Sequence, residues 1–465
     1  MAFFWHSFCP LKQLCDMRNN IFVLTTSLLF FYVNVFSQEE WTLDQCIRYA
    51  VSNNLDIKKV TIQNEINKEN LSQSKRNLLP YASLGSGANN SYGRSLDYTS
   101  YEYVNTTQFY NNLSLSGGID LFRGFTKQNN ISFQKMTFMA GIEDEKQQKY
   151  DIAFNVMEAF FNTIYYNGLI EIVNEQKELS ELNLEQTRKQ VTLGLKAKSD
   201  LLEMESRLAK EELDLIKTRN LYRTAFLDLK QAMNIVGGED FSIDLSVPEI
   251  MLESSEETSP TQIYSTAMNF YPVIKAGEIR KDAAKKNLSI AKGNLWPRLS
   301  MSGGYATNYS KLKGNDNTES FKDQLKNNAY QYVGVSLSIP VFDRLSLRSD
   351  VKLAKLNYLQ AETEFEKTSQ QLYNEINQDY QDVESYLAEY KQLVKQVDFA
   401  EVAYKAAEKK LAQGLISVIE LYDSKNILAQ AKSDLLRTKL FYTIKRKTID
   451  IYLGEPVFKV FSSNE

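Results

Sequence analysis

Seventy consecutive residues, Arg344 to Gln413, contain neither proline nor glycine. A second stretch, Thr126 to Val191, contains no proline and only two glycines, Gly141 and Gly168. At a rise of ~1.5 Å per residue each predicts a helix reaching ~100 Å. No ordinary globular core holds such a helix, so each needs partner helices along its flank. The segments that follow supply the period. Leu201, Leu208, Leu215, Tyr222 and Leu229 recur every seven residues, as do Leu421, Leu428, Leu435, Tyr442 and Ile449. Val383, Tyr390, Val397, Tyr404 and Leu411 repeat the spacing in the second long stretch, with Leu387 and Val394 on a second seam. Sevenfold spacing means side-by-side helices with left-handed supercoiling. The first long stretch keeps the pattern less well, with Asn174 and Lys177 at seam positions.

The chain is written twice. "NLLPYASLGSG" begins at Asn77 and "NLWPRLSMSGG" at Asn294, an offset of 217 (77 to 294) that also aligns Ala50 with Ala267 and Tyr92 with Tyr309. Beyond a variable loop the offset becomes 220, aligning Ile119 with Ile339, Gly194 with Gly414 and Tyr222 with Tyr442. A repeat of this kind is one structural unit used twice. Each unit opens with a helical stretch, Leu43 to Leu78 and Gln262 to Leu295, ended by Pro80 and Pro297. The expected divisions are upstream residues plus secretory signal at 1–37, a first repeat at 38–236, a linker at 237–260, a second repeat at 261–455 and a tail at 456–465.

After each proline the pattern changes to period two. Ala82, Leu84, Ala88 and Tyr92 oppose Ser83, Gly85, Gly87 and Asn89; Leu299, Met301 and Tyr305 oppose Ser300, Ser302 and Gly304. The return segments alternate too, through Leu113, Leu115 and Ile119, and through Val333, Val335, Leu337, Ile339 and Val341. Strands are expected at about 81–93, 109–122, 298–309 and 329–342. One apolar and one small polar face over ~13 residues reads as a membrane strand lining water, where soluble strands centre on 5–6. Tyr81, Phe122, Trp296 and Phe342 gather at the strand ends, as an interfacial aromatic girdle would. The polar segments Arg94–Gln108 and Ser310–Asn328 read as outward loops.

The first residues read as an export signal. Arg18 precedes the apolar run Ile21–Phe36, and "VFS" offers a cleavage site before Gln38. A retained N-terminal anchor is the alternative, and Met1–Asp16 reads as translation upstream of a start at Met17. No cysteine stands at a cleavage-site position after the apolar run, so a lipid anchor is not expected. Processing would remove His6, the only histidine, with Cys9 and Cys15, leaving Cys46 as the single thiol. That excludes internal disulfides, the common zinc sites and His-dependent catalysis. The net charge of −4, without a basic cluster interleaved with aromatics, argues against nucleic acid.

Four membrane strands cannot close, and an open edge in lipid leaves backbone groups unpaired. Two chains would make an eight-stranded barrel filled by its own side chains; three make twelve strands and a lumen. The expected fold class is therefore an α+β membrane protein of two tandem repeats. Each repeat holds a pair of transmembrane β-strands plus long coiled-coil helices. A homotrimer forms a 12-stranded β-barrel continued by a periplasmic α-helical barrel. Two competing readings are a periplasmic coiled-coil scaffold without a pore, which leaves the strands unexplained, and a secreted enzyme with carboxylate chemistry. The second has paired acids, but all of them lie on expected helices with no cleft-forming pattern.

This order of parts resembles the TolC-type outer membrane channels of efflux and type I secretion systems. The carriers are the doubled unit, the ends "NLLP" and "NLWP", the strand exits "IDLFRG" and "IPVFDR", and the hairpin tips "TLGLKAKSD" and "AQGLISVIE", together spanning Gln38 to about Glu455. The resemblance implies a non-enzymatic exit duct without cofactor or metal, in the outer membrane of a Gram-negative bacterium and reaching into the periplasm. It implies export of small molecules such as drugs, with protein secretion as the alternative. The implied partners are a periplasmic adaptor and an inner-membrane pump, RND-type or ABC-type, besides outer membrane lipid.

The tips Gly194-Leu195 and Gly414-Leu415 read first as helix terminations, and the resemblance adds adaptor contact. Asp200, Glu420 and Asp423 complement helix dipoles in the first turns, with Ser417 and Glu420 spaced as a capping box. The resemblance adds a carboxylate ring at the periplasmic gate, which disfavours anions and attracts cations. Leu411 and Ile416 stand where the family carries a Tyr and an Arg that clasp the closed form, so a more apolar seal is expected there.

Overall fold

The computed structural model describes residues 40–96, 101–237, 241–247, 249, 258–313 and 319–455. The expected signal and tail, His6, Cys9 and Cys15 lie outside the described residues, as do loop residues 97–100 and 314–318 and residues 238–240, 248 and 250–257 of the expected linker.

The first copy runs α1 (Leu43–Asn53), α2 (Leu55–Arg76), β1 (Tyr81–Leu96), β2 (Tyr103–Arg123), α3 (Thr126–Thr192) and α4 (Lys198–Ala232). The second runs α5 (Pro260–Phe270), α6 (Pro272–Gly293), β3 (Arg298–Leu312), α7 (Phe321–Asn327), β4 (Tyr330–Ser338), α8 (Ser346–Ala412) and α9 (Val418–Tyr452). The opening stretch expected to be continuous is broken in both copies at the same repeat position. In the first, Asn54 leaves helical geometry and its side chain accepts from Asp56 N and Ile57 N, capping α2. In the second, Tyr271 is extended and Pro272 opens α6 at a position where a missing N–H costs nothing.

The four strands form one antiparallel sheet in the order β1-β2-β3-β4, so the two copies meet along β2 and β3. The strand ends differ from the sequence reading. β1 and β2 extend into the expected loop, pairing as far as Leu96 with Tyr103. β4 stops at Ser338, two residues before Pro340, which has no N–H for a ladder bond, so Ile339, Val341 and Phe342 fall outside the strand. The segment expected as a polar loop contains α7, held to β3 by Gln324, whose side-chain amide accepts from Ser310 N and donates to Ser310 O.

Pairing puts Leu84 opposite Leu115, Ile119 opposite Met301, and Met301 opposite Val335. These residues share one face of the sheet. Ser83 opposite Ser116, Asp120 opposite Ser300, and Ser300 opposite Ser336 share the other. The expected alternation is thus carried across all four strands. Among the described residues no helix is long and apolar enough to cross a membrane.

Both long helices, α3 and α8, have 67 residues, about 100 Å, and both return helices have 35. The shorter α2 and α6 complete the flank that the return helices leave bare: α2 and α6 pack on α3, and α6 also packs on α8. Each long helix leaves its strand through two consecutive left-handed residues, Gly124-Phe125 and Arg344-Leu345. The main core gathers Cys46, Ile47, Ala50, Phe160, Phe161, Ile164, Ile263, Ala267, Ile376 and Leu440, drawn from both copies. Part of the expected linker is pinned to the segment just before α1, where Trp41 N donates to Ser242 O and Asp244 N to Trp41 O, with Ile243 buried.

Candidate functional site at the hairpin tips

The tips are built by local backbone rules. Gly194 and Gly414 take φ of +73° and +72°, the left-handed region that glycine enters without a Cβ clash. Gly194 N donates to Val191 O and Leu195 N to Gln190 O; Gly414 N donates to Leu411 O and Leu415 N to Lys410 O. This is the Schellman pattern, in which the residue after the glycine commonly packs on the one that accepts its N–H. Here those acceptors are Gln190 and Lys410, polar residues that give leucine nothing to cover it. Leu195 and Leu415 are accordingly 72% and 68% exposed.

The return helices start differently. Ser417 caps α9 in a reciprocal box with Glu420, its Oγ accepting from Glu420 N at 3.2 Å while Glu420 Oε1 accepts from Ser417 N at 3.3 Å. Ala197, the counterpart in the first copy, gives α4 no side-chain cap. Asp200 is half-buried; Glu420 and Asp423 are exposed. Leu411 is buried and Ile416 partly so, in a cluster with Met204, Tyr404, Val418, Leu421 and Tyr422 inside the protomer.

Behind the tips lies a polar node that the sequence reading missed. Lys425 is 1% exposed, and its Nζ donates to Gln176 O, Ser180 Oγ and Glu211 Oε1, each at 2.6 Å. Ser180 and the Tyr422 hydroxyl are 2.7 Å apart, and the Arg207 guanidinium lies 4.4 Å above the Tyr422 ring. Burial pulls the Lys425 ammonium below its ordinary range, and the Glu211 carboxylate opposes that pull. Burial likewise pushes the Tyr404 hydroxyl up to about 12. The node ties α3 and α4 of the first copy to α9 of the second. It also explains the weak sevenfold pattern of α3. Asn174 and Lys177 are not seam residues: they pair along their own helix with Glu178 and Glu181. The buried residues there are Gln176, Ser180, Asn183, Leu184 and Thr187, polar in all but one case. The signal was present: Lys425 falls in the seam four residues after Leu421 and three before Leu428.

At the sheet end, Phe122 shares the apolar face with Leu299 and its ring meets Phe125 edge-on. Trp296 is exposed just before β3, and Phe342 is exposed beyond the end of β4. Tyr81 lies on the polar face instead. It pairs with Gly118, where an added Cβ would come within 3.2 Å of its ring, and it lines the same cavity as Asp120.

The family model described as "Outer membrane efflux protein" matches residues 46–234 and 263–455. The outer membrane protein TolC of Escherichia coli (strain K12) is 22% identical over 436 residues, covering 90% of this chain and 83% of the relative. The alkaline protease secretion protein AprF of Pseudomonas aeruginosa is 21% identical over 362 residues, covering 77% and 70%. Among solved structures, the outer membrane protein VceC of Vibrio cholerae superposes with a TM-score of 0.72 at 17% identity, covering 89% of this chain and 96% of that one.

Proposed function

The chain belongs to the outer membrane efflux protein family, and from that premise we propose that three copies share one twelve-stranded barrel and one helical tube, the exit duct of a tripartite efflux pump. One observation carries the trimer. The sheet has four strands, one apolar face and two edges, β1 and β4, that nothing in the chain covers among the described residues. In lipid those edges must be paired, and only other copies offer matching strands. The duct exports small molecules and performs no chemistry on them. A periplasmic adaptor caps the exposed leucines of the tips, and an inner-membrane pump of RND or ABC type supplies the energy. Similarity to a protease-secretion protein favours a second reading, the exit channel of a type I protein secretion system.

The gate lies at the tips. Exposed Glu420 and Asp423, with half-buried Asp200, bring like charges together in three copies and attract cations. Leu411 and Ile416 act inside each protomer, seating the second hairpin on the first. Chemical cross-linking of detergent-purified protein should give trimers, and planar-bilayer recordings should show cation-selective pores. Glu420→Ala combined with Asp423→Ala should lower cation selectivity and weaken block by divalent cations; unchanged selectivity and block would sink the carboxylate gate. Leu195→Asp with Leu415→Asp should abolish adaptor capture while conductance persists.

A further inference from the structure

Where the sheet joins the helices, a cavity of about 740 Å³ opens on the polar face, lined by residues of β1, β2, β3 and the adjoining ends of α2, α3 and α6. Its charges do not balance. The Asp120 carboxylate, 14% exposed, is met by three cations: Lys127 Nζ at 3.1 Å, Arg298 at 3.3 Å and Arg123 at 3.7 Å. Arg76, also in the lining, is paired with Glu69. One carboxylate against three cations leaves a local surplus of positive charge. Asp120 and Asn77 hold Lys127 in place, its Nζ also donating to Asn77 O at 2.7 Å. Both arginine side chains remain about half exposed and line the cavity.

This is not a general property of the doubled unit. In the second copy Pro340 stands at the position of Asp120, Asp343 at that of Arg123 and Leu347 at that of Lys127, while Tyr81 stands in the first copy where Arg298 stands in the second. The three cations around Asp120 therefore collect where the copies meet, at the end of β2 and the starts of α3 and β3, and none of them is needed to repeat the strand-to-helix turn. Small hydroxyls, Ser300 and Ser302, line the same wall.

We propose that this cavity is an anion-binding station for solutes bearing a phosphate, sulfonate or paired carboxylate group, passing along the inner wall of the duct. Guanidinium forks match the geometry of such oxyanions, and a concave wall of one charge sign concentrates them. In a trimer three stations ring the pore behind the acidic mouth. The location in the pore rests on the duct reading; the binding itself does not.

The test is calorimetric titration of inorganic tripolyphosphate into the full chain, purified in an uncharged detergent at low salt. Saturable binding is expected, weakened by added salt. Arg298→Gln and Lys127→Gln should each weaken it by roughly tenfold, the loss of one charge-assisted contact. Asp120→Asn should tighten binding, because it removes the internal competitor; a merely structural Asp120 would give the opposite sign. Arg437→Gln, a surface pair with Asp434 elsewhere, should change nothing. Absent wild-type binding, equal affinity in all variants, or weaker binding in a folded Asp120→Asn protein overturns the proposal. Repeating the titration in nanodiscs with and without phosphatidylglycerol separates sources: binding lost to the anionic lipid would assign the cavity to headgroups and overturn the pore assignment. A chain that binds tripolyphosphate but forms no pore would fault the duct reading alone.

Discussion

The two helical hairpins have the same lengths and the same tip geometry, yet they carry different loads. α3 packs against α1, α2, α4, α6 and α9. α8 packs chiefly against α9 and α6, with a lighter contact to α5, and leaves Leu353, Leu356, Phe399 and Val402 exposed. The first hairpin is the spine of the protomer and the second is its flank. Duplication copied the local signals, which depend only on neighbouring residues. It did not copy the surroundings, and each copy then acquired side chains to suit its place.

The largest contrast lies at Lys425 and its repeat counterpart Glu205. Glu205 is exposed and pairs with Arg188 across the first hairpin, whereas Lys425 is enclosed by three helices. Lys425→Met should cost about 3–5 kcal/mol, because it strands the Glu211 carboxylate. Glu205→Ala should cost about 1 kcal/mol or less. Denaturant midpoints check both, and adding Glu211→Leu to Lys425→Met should recover most of the loss; failure to recover would mean the node is not a charge pair. Its pH dependence has a definite sign. The folded chain holds the Lys425 proton less tightly than the unfolded chain, whose lysine titrates near 10.5. The cost of burying the charge is therefore full at neutral pH and eases as pH rises through the folded value toward 10.5. The stability difference between wild type and Lys425→Met should show that rise.

Next in size are the paired seam leucines. Leu421 is fully buried and Leu201 only partly. Leu421→Ala should cost about 2–5 kcal/mol and Leu201→Ala clearly less, by the same unfolding measurement. Equal costs would mean that a neighbouring copy buries Leu201.

The tip glycines should instead behave alike. Gly194→Ala and Gly414→Ala each force a Cβ into the left-handed region, at about 1–2 kcal/mol. Nothing else lies near either position, so unequal losses would break the equivalence of the tips. The smallest contrast is at the caps. Ser417→Ala should lose about 1 kcal/mol from α9, and Ala197→Ser should gain a similar amount in α4, read as amide exchange in the first turn of each helix.

Much was legible in the residues because it is local. Helix length follows from missing prolines, strand faces from alternation, the tips from Gly194 and Gly414, and the doubled unit from direct alignment. Where local signals were read too simply, the misses were local as well. Asn54 sits as a cap inside an apolar pattern that hides it, and Ile339 and Val341 continue the strand alternation on both sides of Pro340. α7 was missed because seven residues are too few to show a helical period. Residue type suggests a girdle place for Tyr81, and the parity of its position puts its side chain on the face of Ser83.

The chain alone determined the parts, their order and their doubling, since each rests on the geometry of a few consecutive residues. Only the tertiary structure decided which polar residues meet. Lys425 lies 214 residues from Glu211 along the chain and within one hydrogen bond of it in space. Arg298 reaches Asp120 across 178 residues. A charge in a sequence is the same letter whether water or a carboxylate neutralises it, and packing between the copies supplies the difference.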